Sequence, residues 1–256
     1  MIHETAIVDA SAEIADDVTI GPWARIGAEV TIGTGTVIES HVVIDGPTTI
    51  GSDNHIYSFN AVGGDAQDKK FKGERATLEI GDGNVIREYC TINRGTADGG
   101  GVTRLGCRNW IMAYVHIAHD CHLGDDNVMA NGASLAGHVA VGNHVTFGGF
   151  SLVHQFCTIG DYCFTALGSG ITKDIPTYVR VSGLPAKPHG LNTEGLRRKG
   201  FDADAILWLK RAYKVIYKQG LGVQEAIAAL EGMQKECELI KPMVEIIKST
   251  KRGIIR

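Results

Sequence analysis

From the start of the chain, every sixth residue is aliphatic and β-branched: Ile2, Val8, Ile14, Ile20, Ile26, Ile32, Ile38, Ile44, Ile50, Ile56 and Val62. The phase resumes at Ile80, Ile86 and Ile92, and again from Leu105 through Ile111, Ile117, Leu123, Met129, Leu135, Val141, Phe147, Val153 and Ile159. Thr165 is a lapse and Ile171 restores the pattern. Helices recur at three to four residues and simple strands at two, so neither carries a strict six-residue period. A parallel sheet wound into a coil does. Three hexads make one triangular turn of eighteen residues, and each short strand then pairs with the strand one turn later, ~4.8 Å along the axis. Glycine often follows the aliphatic position, as at Gly21, Gly27, Gly33, Gly51 and Gly142, and supplies backbone freedom at corners.

Two stretches leave the repeat. Residues 63–79 are polar and charged, and residues 97–104 are glycine-rich. Both read as loops pushed out of the coil, and loops on a rigid scaffold are common places for binding chemistry. The hexads stop near Pro176, with Pro185 and Pro188 reading as a linker. Beyond Asn192 the spacing turns helical, with Ile206, Leu209, Ala212, Tyr213, Ile216 and Tyr217 at three-and-four intervals. Val223, Ala226, Ile227 and Leu230 open a second helix, and Met243, Val244 and Ile247 fit a third. The expected division is a coil over residues 1–190 and a helical domain over residues 191–256. Arg197, Arg198, Lys199, Lys210, Arg211, Lys214 and Lys218 make the first helices basic, which suits either a solvated face or a dock for an acidic protein or phosphate.

Composition narrows the class. Aromatic residues are only 7% of the chain, which suits a narrow aliphatic core better than one built on large rings. There is no apolar run of ~18 residues, hence no expected membrane span. The N-terminus lacks a secretory pattern, so a cytoplasmic location is expected. The six cysteines form no CxxC pair and read as reduced thiols. A net charge of −4 argues against bulk nucleic-acid binding.

The chemistry concentrates in residues 111–124, IMAYVHIAHDCHLG, which hold His116, His119 and His122 with Asp120 beside the middle one. His138 and His154 follow. The hexads beginning at Ile117, Leu135 and Val153 are eighteen residues apart and stack on one face, which gathers His119, His138 and His154. Imidazole is the natural general base near neutral pH. A carboxylate such as Asp120 can fix its tautomer, although neighbours on a strand point to opposite faces. Cys121 could act as a nucleophile through a Cys–His pair, but a lone strand cysteine is more often a small packing residue. No phosphate-binding loop or dinucleotide motif is present, so no cofactor is expected.

These residues are specific enough to suggest a family. GPWARIGAEVTIG, SHVVIDGPTTIG, AQDKKFKGE, VIREYCTINRGT, HIAHDCHLG, LAGHV, VHQFC and NTEGLRRKGF, spread over essentially the whole chain, resemble the UDP-N-acetylglucosamine O-acyltransferases. The resemblance implies a left-handed parallel β-helix of hexapeptide repeats with a C-terminal α-helical domain. It implies a homotrimer with active sites between adjacent subunits. The implied reaction is transfer of an (R)-3-hydroxyacyl chain from acyl carrier protein to the 3-hydroxyl of UDP-N-acetylglucosamine, the first step of lipid A synthesis, with no covalent enzyme intermediate and no metal. By resemblance His119 is the general base, Asp120 its support, and Gly137 the backbone donor to the thioester oxyanion. His116, His138, His154 and Gln155 match substrate-lining positions. Asp68 and Lys70 match sugar and pantetheine-side contacts, and Asn192, Glu194 and Arg198 match positions that hold the nucleotide or its phosphates.

Two departures bear on specificity. Asn93 stands where many relatives have histidine, which raises a 3-amino sugar as an alternative acceptor. Leu167 lies where the family limits acyl length, which implies a chain of ten to twelve carbons. Other readings of the coil are a trimeric zinc enzyme of the γ-carbonic anhydrase type, using His116, His119 and His122, a non-catalytic scaffold or ice-binding surface, and the related N-acyltransferases. The unique loops and the histidine patch disfavour the scaffold. Hexads beginning at Ile2 leave no room for the separate N-terminal domain usual in the N-acyltransferases.

Overall fold

A computed structural model describes all 256 residues. The short strands from Ile7–Val8 to Gly170–Ile171 form three parallel sheets, one per face of a left-handed parallel β-helix. Successive turns pair in register eighteen residues apart, as Ile26 with Ile44 and Leu135 with Val153. The period-six aliphatic residues point inward and are fully buried from Ile20 onward, forming one continuous core with the helices. Only the first few remain open: Ile2 is half exposed because no coil covers that end. At the lapse, the buried Thr165 hydroxyl lies 2.7 Å from Ser151 Oγ, so the polar atom is satisfied inside the prism.

A second column fills the interior. Asn54 Oδ1 accepts from the Asn84 backbone N–H and amide group at 2.9 and 3.0 Å. Asn84 does the same for Asn109, Asn109 Oδ1 accepts from the Asn127 N–H, and Asn127 Oδ1 accepts from the Val145 N–H. Each amide satisfies a corner N–H that no strand ladder reaches, which is why buried asparagine is tolerated there. Corners also place side-chain-bearing residues in the left-handed backbone region, which costs roughly 1–2 kcal/mol each. At one corner these residues are Trp23, His41, Phe59, Tyr89 and Tyr114, whose rings stack in a column 5.0–5.1 Å apart. Such contacts, at about 0.5–1.5 kcal/mol per pair, offset much of that strain.

The repeat runs further than the spacing suggests. Val179–Gly183 pairs with Phe164–Thr165 and returns antiparallel as Ala186–Leu191, so the stretch read as a linker is a β-hairpin. Pro188 is accommodated because Ala186–Leu191 is the sheet edge, where a missing N–H is tolerated. Four helices follow: Thr193–Arg198, Ala203–Tyr217, Val223–Gln234 and Lys241–Ser249. Asp202 caps the second by accepting from the Ala205 N–H, and its buried stripe is Ile206, Leu209, Ala212, Tyr213, Val215 and Ile216. This layer closes the far end of the coil. Asp174 anchors the returning chain, donating its N–H to the Gly253 carbonyl and accepting from the Ile255 N–H. The two excursions from the coil are tightest at residues 65–76 and 94–101, because Thr77–Ile80 and Val102–Leu105 already pair as strands.

Candidate active site

The first excursion and the first sheet, which begins at Ile7–Val8, line a cavity of about 680 Å³. His116, Ser134, Leu135, Leu152 and Val153 come from successive strands of that sheet, and Ala118, His119, Gly137, His138, Gln155 and Phe156 from the corners that follow them. Gln67, Asp68 and Lys70 of the first excursion form the opposite wall. The eighteen-residue repeat is the positioning device, since it stacks the corners after Ile117, Leu135 and Val153 on one edge of the prism.

His119 and Asp120 lie at the centre. His119 Nδ1 is 2.7 Å from Asp120 Oδ2, and the Asp120 side chain is completely buried. An ionised carboxylate only accepts, so Nδ1 carries the proton and the Nε2 lone pair is left free. Asp120 also accepts from the Thr96 N–H at 2.8 Å and the Thr96 hydroxyl at 2.7 Å. Its own N–H donates to Thr103 Oγ1 at 2.7 Å, holding a corner residue whose φ is +59°. A Cβ added to Gly137 would lie 2.7 Å from His119 Nε2, so glycine is required there for the ring to sit as it does. The Gly137 N–H is used by no backbone or side-chain acceptor.

His138 meets His119 edge-to-face, with ring centroids 5.1 Å apart, and stacks flat on Phe156 at 4.4 Å. Its Nδ1 is 3.8 Å from Asp120 Oδ2. Burial lowers the His138 pKa, opposed by the nearby Asp120 carboxylate. His116 is lowered too, by burial first and by the His119 charge second, and its Nδ1 lies 2.7 Å from Thr91 Oγ1. Both imidazoles are therefore biased toward the neutral form.

Not every expected residue arrives. His154 does not line the cavity; it is exposed, with Nδ1 3.1 Å from the Gln155 carbonyl. His122 lies on the neighbouring sheet, 3.3 Å from the Val102 carbonyl, so His116, His119 and His122 do not converge as metal ligands. His119, Asp120 and His138 do offer atoms within 4.8 Å of one another, but His119 Nδ1 and the Asp120 carboxylate are already bonded together. Cys121 is buried, donates to the Ala136 carbonyl at 3.1 Å, and has its thiol pushed up to about 12 by burial, the profile of a packing residue. Asn93 is buried, outside the lining of the cavity, with its amide N–H₂ on the Asp65 carbonyl. Asn192 caps the helix Thr193–Arg198 and donates to the Tyr162 carbonyl, while Glu194 and Arg198 are exposed. None of these four lines the cavity of a single chain. Leu167 is an exposed corner residue over Gly149.

The structure adds residues that motif reading passed over. Thr96 and Thr103 hold Asp120, Phe156 covers His138, and Ser134 lines the cavity. Leu184, equally exposed, packs over Gly170, the strand partner of Leu152. The eighteen-residue step does mark Phe156 one turn above His138 and Ser134 one turn above His116. No spacing marks Thr96.

No helix is long and apolar enough to cross a membrane. The hexapeptide-repeat transferase model matches residues 11–46 and 103–137, and the model of domain 2 of UDP-N-acetylglucosamine O-acyltransferase matches residues 174–255. The acyl-[acyl-carrier-protein]–UDP-N-acetylglucosamine O-acyltransferase of Thiobacillus denitrificans is 56% identical, and that of Alkalilimnicola ehrlichii 54%, each over 100% of this chain and 99% of the relative. The crystal structure of UDP-N-acetylglucosamine O-acyltransferase (LpxA) from Moraxella catarrhalis superposes with a TM-score of 0.99 at 49% identity, covering 100% of this chain and 99% of the other. LpxA from Acinetobacter baumannii gives 0.98 at 46%, with the same coverage. With such identity along its whole length, the chain belongs to the UDP-N-acetylglucosamine O-acyltransferase family and is an acyltransferase.

Proposed function

We propose that the protein transfers a 3-hydroxyacyl chain from acyl carrier protein to the 3-hydroxyl of UDP-N-acetylglucosamine, the opening step of lipid A synthesis, with His119 as general base. The observation that carries this reading is the free His119 Nε2 beside Gly137, whose N–H has no partner. His119 removes the hydroxyl proton as the sugar oxygen attacks the thioester carbonyl. The Gly137 N–H donates to the developing oxyanion, a contribution on the order of 10²–10³ in rate. The carbon–sulfur bond then breaks, and protonated His119 returns its proton to the departing thiolate. The buried, strongly protonated Cys121 supports direct transfer without an acyl-enzyme. A thioester is already activated, so the reading needs no metal.

The acceptor sugar would sit against Asp68, Lys70 and His138. The acyl chain would follow the apolar floor of Leu135, Leu152 and Val153 toward Leu167 and Leu184. Asn192, Glu194 and Arg198 would then grip the nucleotide from an adjacent copy, in a homotrimer. The exposed apolar residues Phe150, Leu152 and Phe156 beside the cavity support such a partner. The basic helices would dock the acidic carrier protein, and the reaction would be cytoplasmic. Asn93, buried outside the cavity, gives no support to a 3-amino acceptor.

The test is acyl transfer from carrier proteins bearing ten-, twelve- and fourteen-carbon 3-hydroxyacyl chains to UDP-N-acetylglucosamine and its 3-amino analogue, with wild type and His119→Ala. Transfer to the hydroxyl sugar, reduced at least 10²-fold in the variant, is expected. Transfer to the amino sugar alone, or an undiminished His119→Ala enzyme, overturns the reading.

A further inference from the structure

We propose that Thr96 is a positioning residue for the reaction: together with the short turn that it caps, it locks the Asp120 carboxylate in the orientation that keeps the proton of His119 on Nδ1. The inference rests on His119 acting as base and extends it to a residue that does not touch substrate.

Each polar atom of Thr96 is committed. Its N–H donates to Asp120 Oδ1 at 2.8 Å and its hydroxyl donates to Oδ2 at 2.7 Å. The direction of that hydroxyl bond is fixed from the other side. Thr96 caps the 3-10 turn Ala97–Gly99, so its Oγ1 accepts from the Gly99 N–H at 3.2 Å. The hydroxyl proton is left for Asp120 Oδ2, which as an ionised carboxylate oxygen can only accept. The turn also lies against Asp120: a Cβ at Gly99 would come within 2.0–2.3 Å of the carboxylate atoms. Thr103, from the strand that closes the same excursion, fixes the Asp120 backbone. The second excursion from the coil is thus a clamp for one carboxylate, with Thr96 as its jaw.

The clamp matters because Asp120 has a competing neighbour. His138 Nδ1 stands 3.8 Å from the same Oδ2 that His119 holds at 2.7 Å. A carboxylate freed at Thr96 can rotate and share itself with His138. His119 then loses its fixed tautomer, and the fraction with a bare Nε2 falls.

Thr96→Val keeps the β-branched shape and the backbone N–H but removes the hydroxyl. The expected result is a kcat reduced about 10- to 100-fold with the KM for the sugar nucleotide within about twofold, and recovery in Thr96→Ser. Nitrogen-15 NMR of histidine-labelled protein reads the same claim without turnover. Wild type is expected to show His119 as the Nδ1–H tautomer, and Thr96→Val a mixture. Gly99→Ala, which displaces the carboxylate while leaving Thr96 in place, is expected to reproduce both effects should the valine variant fold poorly. Unchanged kcat and tautomer in the folded variants, or equal loss in Thr96→Val and Thr96→Ser, overturns the proposal. If wild type itself transfers no acyl group, the acyltransfer reading falls, while the tautomer comparison still decides the role of Thr96.

Discussion

His119 and Asp120 are adjacent in the sequence and yet form the central hydrogen bond of the site, Nδ1 to Oδ2 at 2.7 Å. On a strand the two would face opposite ways. They meet because Asp120 takes a left-handed corner conformation, with φ +59°, which folds both side chains toward the same cavity edge. Asp120→Asn tests the pairing with little change of shape. The amide can present N–H to Nδ1, which favours the other tautomer and removes the lone pair from Nε2. A fall in kcat of about 10³-fold is expected, with the melting temperature changed by only a few degrees. Retention of more than a tenth of the wild-type rate would remove Asp120 from the mechanism.

Gly137 is constrained twice, by the His119 ring against it and by its unpartnered N–H. Gly137→Ala introduces a methyl group 2.6 Å from His119 Cε1, too close for the ring to stay. The expected cost is about 1–3 kcal/mol of stability from overpacking, and a rate loss of about 10²-fold or more as the base is displaced. Denaturant melts and single-turnover transfer measure the two separately. A stable variant with normal turnover would show that the position of the His119 ring against Gly137 does not matter.

The site also predicts how stability follows pH. Burial holds the His116 and His138 pKa values below the usual 6.5. In the unfolded chain both return to that ordinary value. Above it both states are neutral and the full contribution to stability is present. As pH falls through 6.5 toward the depressed folded values, the unfolded chain binds more protons, and stability is lost. The melting temperature is expected to fall between pH 7.5 and 5, and the fall to shrink in a His116→Gln, His138→Gln double variant. An identical slope in that variant would place the acid sensitivity elsewhere.

The coil was legible because one geometric fact, an inward side chain every sixth residue, writes itself into the sequence as Ile20, Ile26, Ile32 and onward. The asparagine column is equally periodic, with Asn54, Asn84, Asn109 and Asn127 each two residues before a core position. It is masked because asparagine also reads as an ordinary turn residue. The histidine patch was only partly legible. Stacking corners by eighteen correctly associates His119 with His138, but a one-residue offset at a corner turns a side chain away, as it does for His154. His122 already belongs to the next face. Thr96 was illegible, because its contact with Asp120 depends on how an aperiodic excursion folds back. Asn192, Glu194 and Arg198 lie outside the cavity of a single chain, on and beside the helix that follows the coil, so its spacing says nothing of them.

Leu167 projects from its corner over Gly149, and Leu184 covers Gly170, the strand partner of Leu152 on the apolar floor of the cavity; both leucines are exposed. If the acyl chain follows that floor, Leu167 stops it. Each buried methylene contributes about 0.8 kcal/mol, so two further carbons are worth about 1.6 kcal/mol, or roughly 15-fold, wherever room exists for them. Wild type is expected to prefer a ten- or twelve-carbon donor, and Leu167→Gly to raise kcat/KM for the fourteen-carbon donor by about that factor relative to the shorter ones. Competition assays with mixed acyl carrier proteins report the ratio directly, independent of how much of the variant is active. A ratio unmoved in Leu167→Gly but shifted in Leu184→Ala would place the stop on the hairpin that closes the coil. A ratio unmoved in both would mean that the acyl chain takes another path across this face.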